Sequence, residues 1–264
     1  MNSKFLRYLL PAFASLSWCM SAAAEGTPSP NGRITREWKD ADGTTVPCQI
    51  FLPTHYDKAR KYPLVLCMHG AGNMKSAPYT ATTGASVALL TPEMREKYPA
   101  FLLVPQTSTG WAKRPEQAAG GMVAVGIQPE CATLKLVMQG LADLMKEYSV
   151  DADRIYVSGQ SMGGVATWSL VLHHPEVFAA AVPICGIGNP QRAAEIHCPV
   201  WAFHGAKDPT VPVSCSRDMV EAMKKAGLEV KYTEYPEGGH SVWTTAWSEK
   251  ELAPWLFSQR RAQK

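Results

Sequence analysis

Five short apolar runs decide what this chain can fold into: "YPLVLCMHG" (62–70), "AFLLVPQ" (100–106), "DRIYVSG" (153–159), "FAAAVPICG" (178–186) and "PVWAFHG" (199–205). Each is continuous rather than alternating and is bounded by turn residues, the pattern of strands buried on both faces of a parallel sheet. Between and after them lie segments with apolar residues at helical spacing, "ATLKLVMQGLADLMKEY" (132–148), "GGVATWSLVLHHP" (163–175) and "SRDMVEAMKKAG" (216–227). A further strand, "EVKYTEYP" (229–236), and one closing helix, "TTAWSEKELAPWLFSQRR" (244–261), complete the order. Such alternation implies a doubly wound, mainly parallel sheet with helices on both faces. At the start, "RITREWK" and "TTVPCQIFLP" flank Asp42-Gly43, which predicts an opening antiparallel hairpin.

With 264 residues, 46% hydrophobic and 19% charged, the chain suits one sizeable core and one domain. A net charge of +3 without any Lys/Arg block leaves no electrostatic footprint for nucleic acid or an anionic membrane surface. Residues 1–24 read as a signal peptide: Lys4 and Arg7, an apolar run through Met20, then Ala22, Ala23 and Ala24. That run is shorter than the ~20 residues of a spanning helix, so the expectation is a secreted or periplasmic protein without stable membrane insertion. Residues 25–32, "EGTPSPNG", read as a linker and residues 33–264 as the folded catalytic domain. Export leaves Cys48, Cys67, Cys131, Cys185, Cys198 and Cys215, an even number that predicts one or two disulfides. Their spacing matches no zinc pattern, the other histidines form no convincing metal pair, and no G-x-G-x-x-G or Walker motif occurs, so neither metal nor cofactor is expected.

In doubly wound sheets, ligands bind outside the carboxyl ends of the strands. There, "YVSGQSMGG" places Ser161 within Gly159-Gln160-Ser161-Met162-Gly163, a G-x-S-x-G sequence between a strand and a helix. Glycines two positions either side let strand and helix approach while the serine is presented on a strained turn. A serine hydroxyl needs a base, and the base needs an orienting acid. Asp208 follows the "PVWAFHG" strand and His240 follows the next one, so the chain order is Ser, Asp, His. Two backbone N–H groups for a developing oxyanion are expected from Met162 and from Ala71.

The stretches "YPLVLCMHGAG", "FLLVPQTSTGW", "DADRIYVSGQSMGG", "FHGAKDPTVP", "GGHSVWTTAW" and "ELAPWLFSQRR" resemble secreted bacterial α/β-hydrolases of the dienelactone hydrolase, feruloyl esterase and phospholipase/carboxylesterase-like group, often filed with the prolyl oligopeptidase catalytic domain. The resemblance runs from about Lys61 to the C-terminus. One departure is "GAGNMKS", where related chains often carry charged residues after the glycine. The likeness implies an α/β-hydrolase fold in which Ser161 is nucleophile, His240 base, Asp208 orienting acid, and Ala71 and Met162 oxyanion donors.

If the triad works, the reaction is acyl transfer to water through an acyl-enzyme. Only "GIGNPQRAAEIH" separates two strands where many lipases insert a helical lid, so no large lid domain is expected. Trp111, Gln160 and Trp243 are candidate substrate contacts, Trp111 and Trp243 as an aromatic wall for an aryl or sugar-linked ester. His69 is a further candidate, although a histidine before glycine also suits organising its own loop. The favoured substrates are small-molecule or polysaccharide-linked esters of feruloyl or acetyl type. The alternatives are a serine peptidase, against which the chain has no room for a large gating domain, and a catalytically silent binding protein. The oligomeric state stays open.

Overall fold

The computed structural model describes residues 32–112, 117–118, 121–122 and 130–261. Strands β1 (Arg33–Lys39) and β2 (Thr45–Phe51) form the opening antiparallel hairpin, with Arg33 opposite Phe51. Its loop is longer than a two-residue turn: Asp40 Oδ1 accepts the amides of Asp42 at 3.0 Å and Thr44 at 2.8 Å, and Gly43 takes φ 86°. Gln117–Ala118 pairs separately with Gly121–Met122, and the other strands of the main sheet are β3 (Tyr62–Met68), β4 (Phe101–Pro105), β5 (Val150–Gln160), β6 (Ala180–Ile184), β7 (Val200–Gly205) and β8 (Val230–Tyr235). They complete an eight-stranded sheet of order β1-β2-β4-β3-β5-β6-β7-β8, parallel from β4 onward. Every residue of β3, β4, β6 and β7 is buried, as their unbroken apolar runs require.

Helices cover both faces. Against one lie α3 (Ala132–Glu147), α4 (Met162–His173) and α5 (Ser214–Lys225), and against the other α1 (Gly84–Leu89), α2 (Pro92–Lys97), α6 (Trp243–Trp247) and α7 (Leu252–Ser258). Because successive strand side chains point to opposite faces, β3 contributes Leu64 and Leu66 to the first core and Val65 and Cys67 to the second. Trp168 and Met219 fill the first, and Tyr156, Phe203 and Trp247 the second.

Two expectations change, and two helices are added. The single closing helix is two short ones, α6 and α7. Pro254, which lacks an N–H and would clash with the carbonyl four residues back, cannot lie deep inside one continuous helix but fits the first turn of a new one. The six described cysteines are all free thiols, so the expected disulfides are absent among the described residues. Five of the six are buried and pack as small apolar side chains, Cys48 and Cys198 in one face's core, Cys67 and Cys185 in the other's, and Cys215 in a third small cluster. Finally, α1 and α2 went unread because six-residue helices are too short to show periodicity. Among the described residues, no helix is long and apolar enough to cross a membrane.

Candidate active site

Strand β5 ends at Gln160 and α4 begins at Met162, leaving Ser161 alone between them at φ 55°, ψ −120°. A non-glycine residue at positive φ is strained and persists only where its surroundings enforce it. Here Ser161 N donates to the Ile184 carbonyl at 2.9 Å, and the Ser161 carbonyl accepts the Val165 amide at 3.0 Å. The two motif glycines serve close approach. A Cβ on Gly159 would lie 2.2 Å from the Gly163 carbonyl oxygen, and one on Gly163 would lie 2.1 Å from that of Met68. The strand-to-helix crossing therefore has no room for side chains there, and the serine is thrust out at the carboxyl edge of the sheet.

Strands β6 and β7 carry the chain to the same edge, and β8 returns it once more before His240. His240 Nε2 lies 2.8 Å from Ser161 Oγ, and His240 Nδ1 lies 2.7 Å from Asp208 Oδ2. Asp208 Oδ1 accepts the amides of Thr210 at 2.8 Å and Val211 at 2.9 Å. Burial alone pushes the Asp208 carboxyl up, but the hydrogen bonds from His240 and from those two amides outweigh it and hold the group below the usual carboxylate value. The acid is thus ionised at neutral pH and accepts the Nδ1 proton, which leaves Nε2 bare to accept from the serine hydroxyl.

Met162 is the first residue of α4, so its N–H has no acceptor within the helix. Ala71 opens a 3₁₀ turn, Ala71–Lys75, and the preceding Gly70 sits against the serine: a Cβ built on it would be 3.6 Å from Ser161 Cβ. Met162 and Gly70, the residue before Ala71, therefore flank the serine.

The other candidate contacts divide. Trp111 is fully buried, donates Nε1–H to the His69 carbonyl at 3.0 Å, and lies 5.0 Å from the His69 ring, tilted 58° to it. It is a core strut, which corrects its reading as part of an aromatic wall. Trp111→Ala will lower stability by about 3–5 kcal/mol through the cavity it leaves, measurable by denaturant titration. His69 is likewise fully buried: its Nε2 accepts the Thr107 amide at 3.0 Å and its Nδ1 donates to the Gly70 carbonyl at 2.8 Å. Burial pushes its pKa down, so the ring is neutral and organises the loop rather than touching substrate. Gln160 spends its side-chain oxygen on the Gly84 amide at 2.7 Å, anchoring α1 instead of facing a ligand. Trp243 alone remains beside the site, half-buried, its ring edge-on to that of His240 at 5.8 Å.

Two neighbours escaped the sequence reading. Cys185, at φ 48°, donates its thiol to the His240 carbonyl at 3.3 Å, and His204 Nε2 lies 3.2 Å from Asp208 Oδ2. The only sequence signal for the second was the four-residue spacing in "HGAKD". Among the described residues, Cys185, Asp208 and His240 are the one cluster of metal-ligating side chains, with donor atoms all within 4.8 Å of one another. The donor chemistry does not fit a metal. Burial holds the thiol pKa at about 12, far from the thiolate a metal needs, and the other two groups are already bonded to each other.

Sheet, strained serine and hydrogen-bonded row together define an α/β-hydrolase. The fold superposes on the crystal structure of a thermostable esterase with a TM-score of 0.79 and 33% identity, covering 87% of this chain and 64% of that one. The chain belongs to the dienelactone hydrolase family, whose model matches residues 103–252, more than half of its length. It is 27% identical over 101 residues to a Salmonella typhimurium protein named as a carboxymethylenebutenolidase, covering 34% of this chain and 37% of that one. To an uncharacterized secreted protein of Arthroderma benhamiae it is 27% identical over 227 residues, 72% of this chain and 22% of that one. The chain thus spans well under two thirds of these curated relatives.

Proposed function

We propose that the protein hydrolyses carboxylic esters through an acyl-enzyme on Ser161. The observation that carries this reading is the continuous row from Ser161 Oγ through His240 to Asp208, with distances of 2.8 and 2.7 Å, built on a strained turn. Ser161 Oγ adds to the acyl carbonyl carbon as its proton passes to His240 Nε2. Asp208 stabilises the imidazolium, and the N–H groups of Ala71 and Met162 stabilise the oxyanion. Collapse breaks the C–O bond to the leaving alcohol, which takes the proton from His240. Water then adds to the acyl-enzyme, giving its proton to the same nitrogen, and the acid departs as Ser161 regains its hydrogen.

Aryl or acetyl esters, including those carried on plant polysaccharide, are the favoured substrates. The half-buried Trp243 ring beside His240 supports an aromatic group there, and the link between β6 and β7 holds only the 3₁₀ turn Pro190–Glu195 rather than an inserted lid. The leader at residues 1–24 supports export, in keeping with the relative named as secreted.

Assaying the purified chain with p-nitrophenyl acetate, methyl ferulate and a proline-containing chromogenic peptide tests this reading. Ester turnover is the expected result, and peptide turnover without ester turnover defeats it. The rate will decline on the acid side, because a general base must be unprotonated to accept the serine proton. Asp208, held below the usual carboxylate value, stays ionised throughout that decline. A flat profile down to about pH 4 contradicts a histidine base.

A further inference from the structure

Asp208 has a second imidazole beside it. His204, on β7 and fully buried, has Nε2 3.0 Å from the Val211 carbonyl and 3.2 Å from Asp208 Oδ2, with Nδ1 2.7 Å from the buried Ser216 hydroxyl. One tautomer satisfies these neighbours. The carbonyl and the carboxylate only accept, so Nε2 carries the hydrogen, and the Ser216 hydroxyl donates to the bare Nδ1. Burial keeps this ring neutral, against the pull of the Val211 carbonyl and the Asp208 charge. The ring therefore joins three pieces of backbone: its own strand, the first turn of α5 through Ser216, and the Asp208–Val211 turn. Val211 is gripped at both ends of its peptide, its amide by Asp208 Oδ1 at 2.9 Å and its carbonyl by His204.

We propose that His204 is a positioning residue for the Asp208–His240 pair, clamping the 208–211 turn and setting an N–H against Asp208 Oδ2 so that the carboxylate stays aimed at His240 Nδ1. This rests on the proposed roles of Ser161, Asp208 and His240. A histidine that merely filled the core would, when replaced, cost stability and leave the chemistry alone. A positioning residue lowers kcat and spares KM, because the Asp208 contact matters most when His240 becomes an imidazolium. The sign of the pH effect follows. A looser carboxylate stabilises the imidazolium less, so the acid limb of the rate profile moves down as the plateau falls. The other groups facing the pair do not titrate in this range: the Cys185 thiol is held at about 12, and Ser161 is a hydroxyl.

The test compares the full chain with His204→Leu, His204→Gln and Ser216→Ala. The readouts are p-nitrophenyl acetate kinetics between about pH 5 and 9, the low-field proton NMR resonance of the His240 Nδ1–H, and thermal melts. His204→Leu is expected to lose about 10–100-fold in kcat with little change in KM, to lower the acid limb, and to weaken that resonance. His204→Gln, whose amide can still donate to Val211, is expected to recover part of each. A folded His204→Leu with wild-type kcat and an unmoved resonance overturns the proposal. Should that variant not fold, unchanged kcat and resonance in both His204→Gln and Ser216→Ala overturn it equally. If the wild-type chain turns over no ester, the resonance still reads the Asp208–His240 bond, so failure of the esterase reading and failure of this one give different results.

Discussion

Ser161→Ala will lower kcat for ester substrates by on the order of 10⁶-fold while leaving the fold unchanged. The size follows from interdependence: without Oγ there is no covalent intermediate, and His240 and Asp208 have nothing to activate. What survives is the weaker acceleration that backbone donors and binding supply without a nucleophile. Stability is spared because the serine is only half-buried and its side chain makes one bond in this row, to His240. The backbone bonds that hold the turn, Ser161 N to the Ile184 carbonyl and Val165 N to the Ser161 carbonyl, do not involve Oγ. Burst titration with p-nitrophenyl acetate alongside a thermal melt checks both halves, and wild-type turnover in the variant would mean the nucleophile lies elsewhere.

Gly163→Ala has the largest expected effect on stability. The added Cβ would meet the Met68 carbonyl oxygen at 2.1 Å, its carbon at 2.6 Å and the His69 carbonyl oxygen at 2.9 Å. None of these is the yielding end of a side chain. Met68 is paired with Gly159 in the β3–β5 register, so relief requires shifting the central strands or lifting α4 from the sheet. We expect a loss of more than about 4 kcal/mol, with a fall in Tm of roughly 10 °C or more. The activity that remains should fall too, since α4 carries the Met162 amide and abuts Ser161. Gly72→Ala is the control, because a Cβ there meets nothing within 4 Å. A Tm for Gly163→Ala matching that control would show that strand and helix have slack at the crossing.

Much of this arrangement was legible before any coordinates. Unbroken apolar runs can be satisfied only by strands covered on both faces, and β3, β4, β6 and β7 are buried along their whole length. The spacing Gly159-x-Ser161-x-Gly163 is equally local, since it concerns which backbone positions tolerate no Cβ. Chain order then brought Asp208 and His240 to the edge that holds Ser161. Short helices were less legible, because α1 and α2 are six residues each and offer no period to detect. The division of the closing segment at Pro254 was written in the sequence, but its helical composition outweighed that one residue in the reading.

By itself, the sequence determined the order of strands and helices, the strained turn and the three side chains that line up on it, because those depend on local backbone sterics and on which faces must be apolar. Tertiary structure alone decided how the polar and aromatic residues around that row are used. Trp111 and Gln160 look like ligand contacts in one dimension, yet one is sealed in the core and the other is bonded to the Gly84 amide. The cysteines suggested bridges, yet all six described ones are free thiols and five of them are buried. His204 lies within the buried strand run 199–205, and folding sets it beside Asp208. Burial and hydrogen-bond partnership are properties of neighbours distant in sequence, and no local pattern encodes which neighbour arrives.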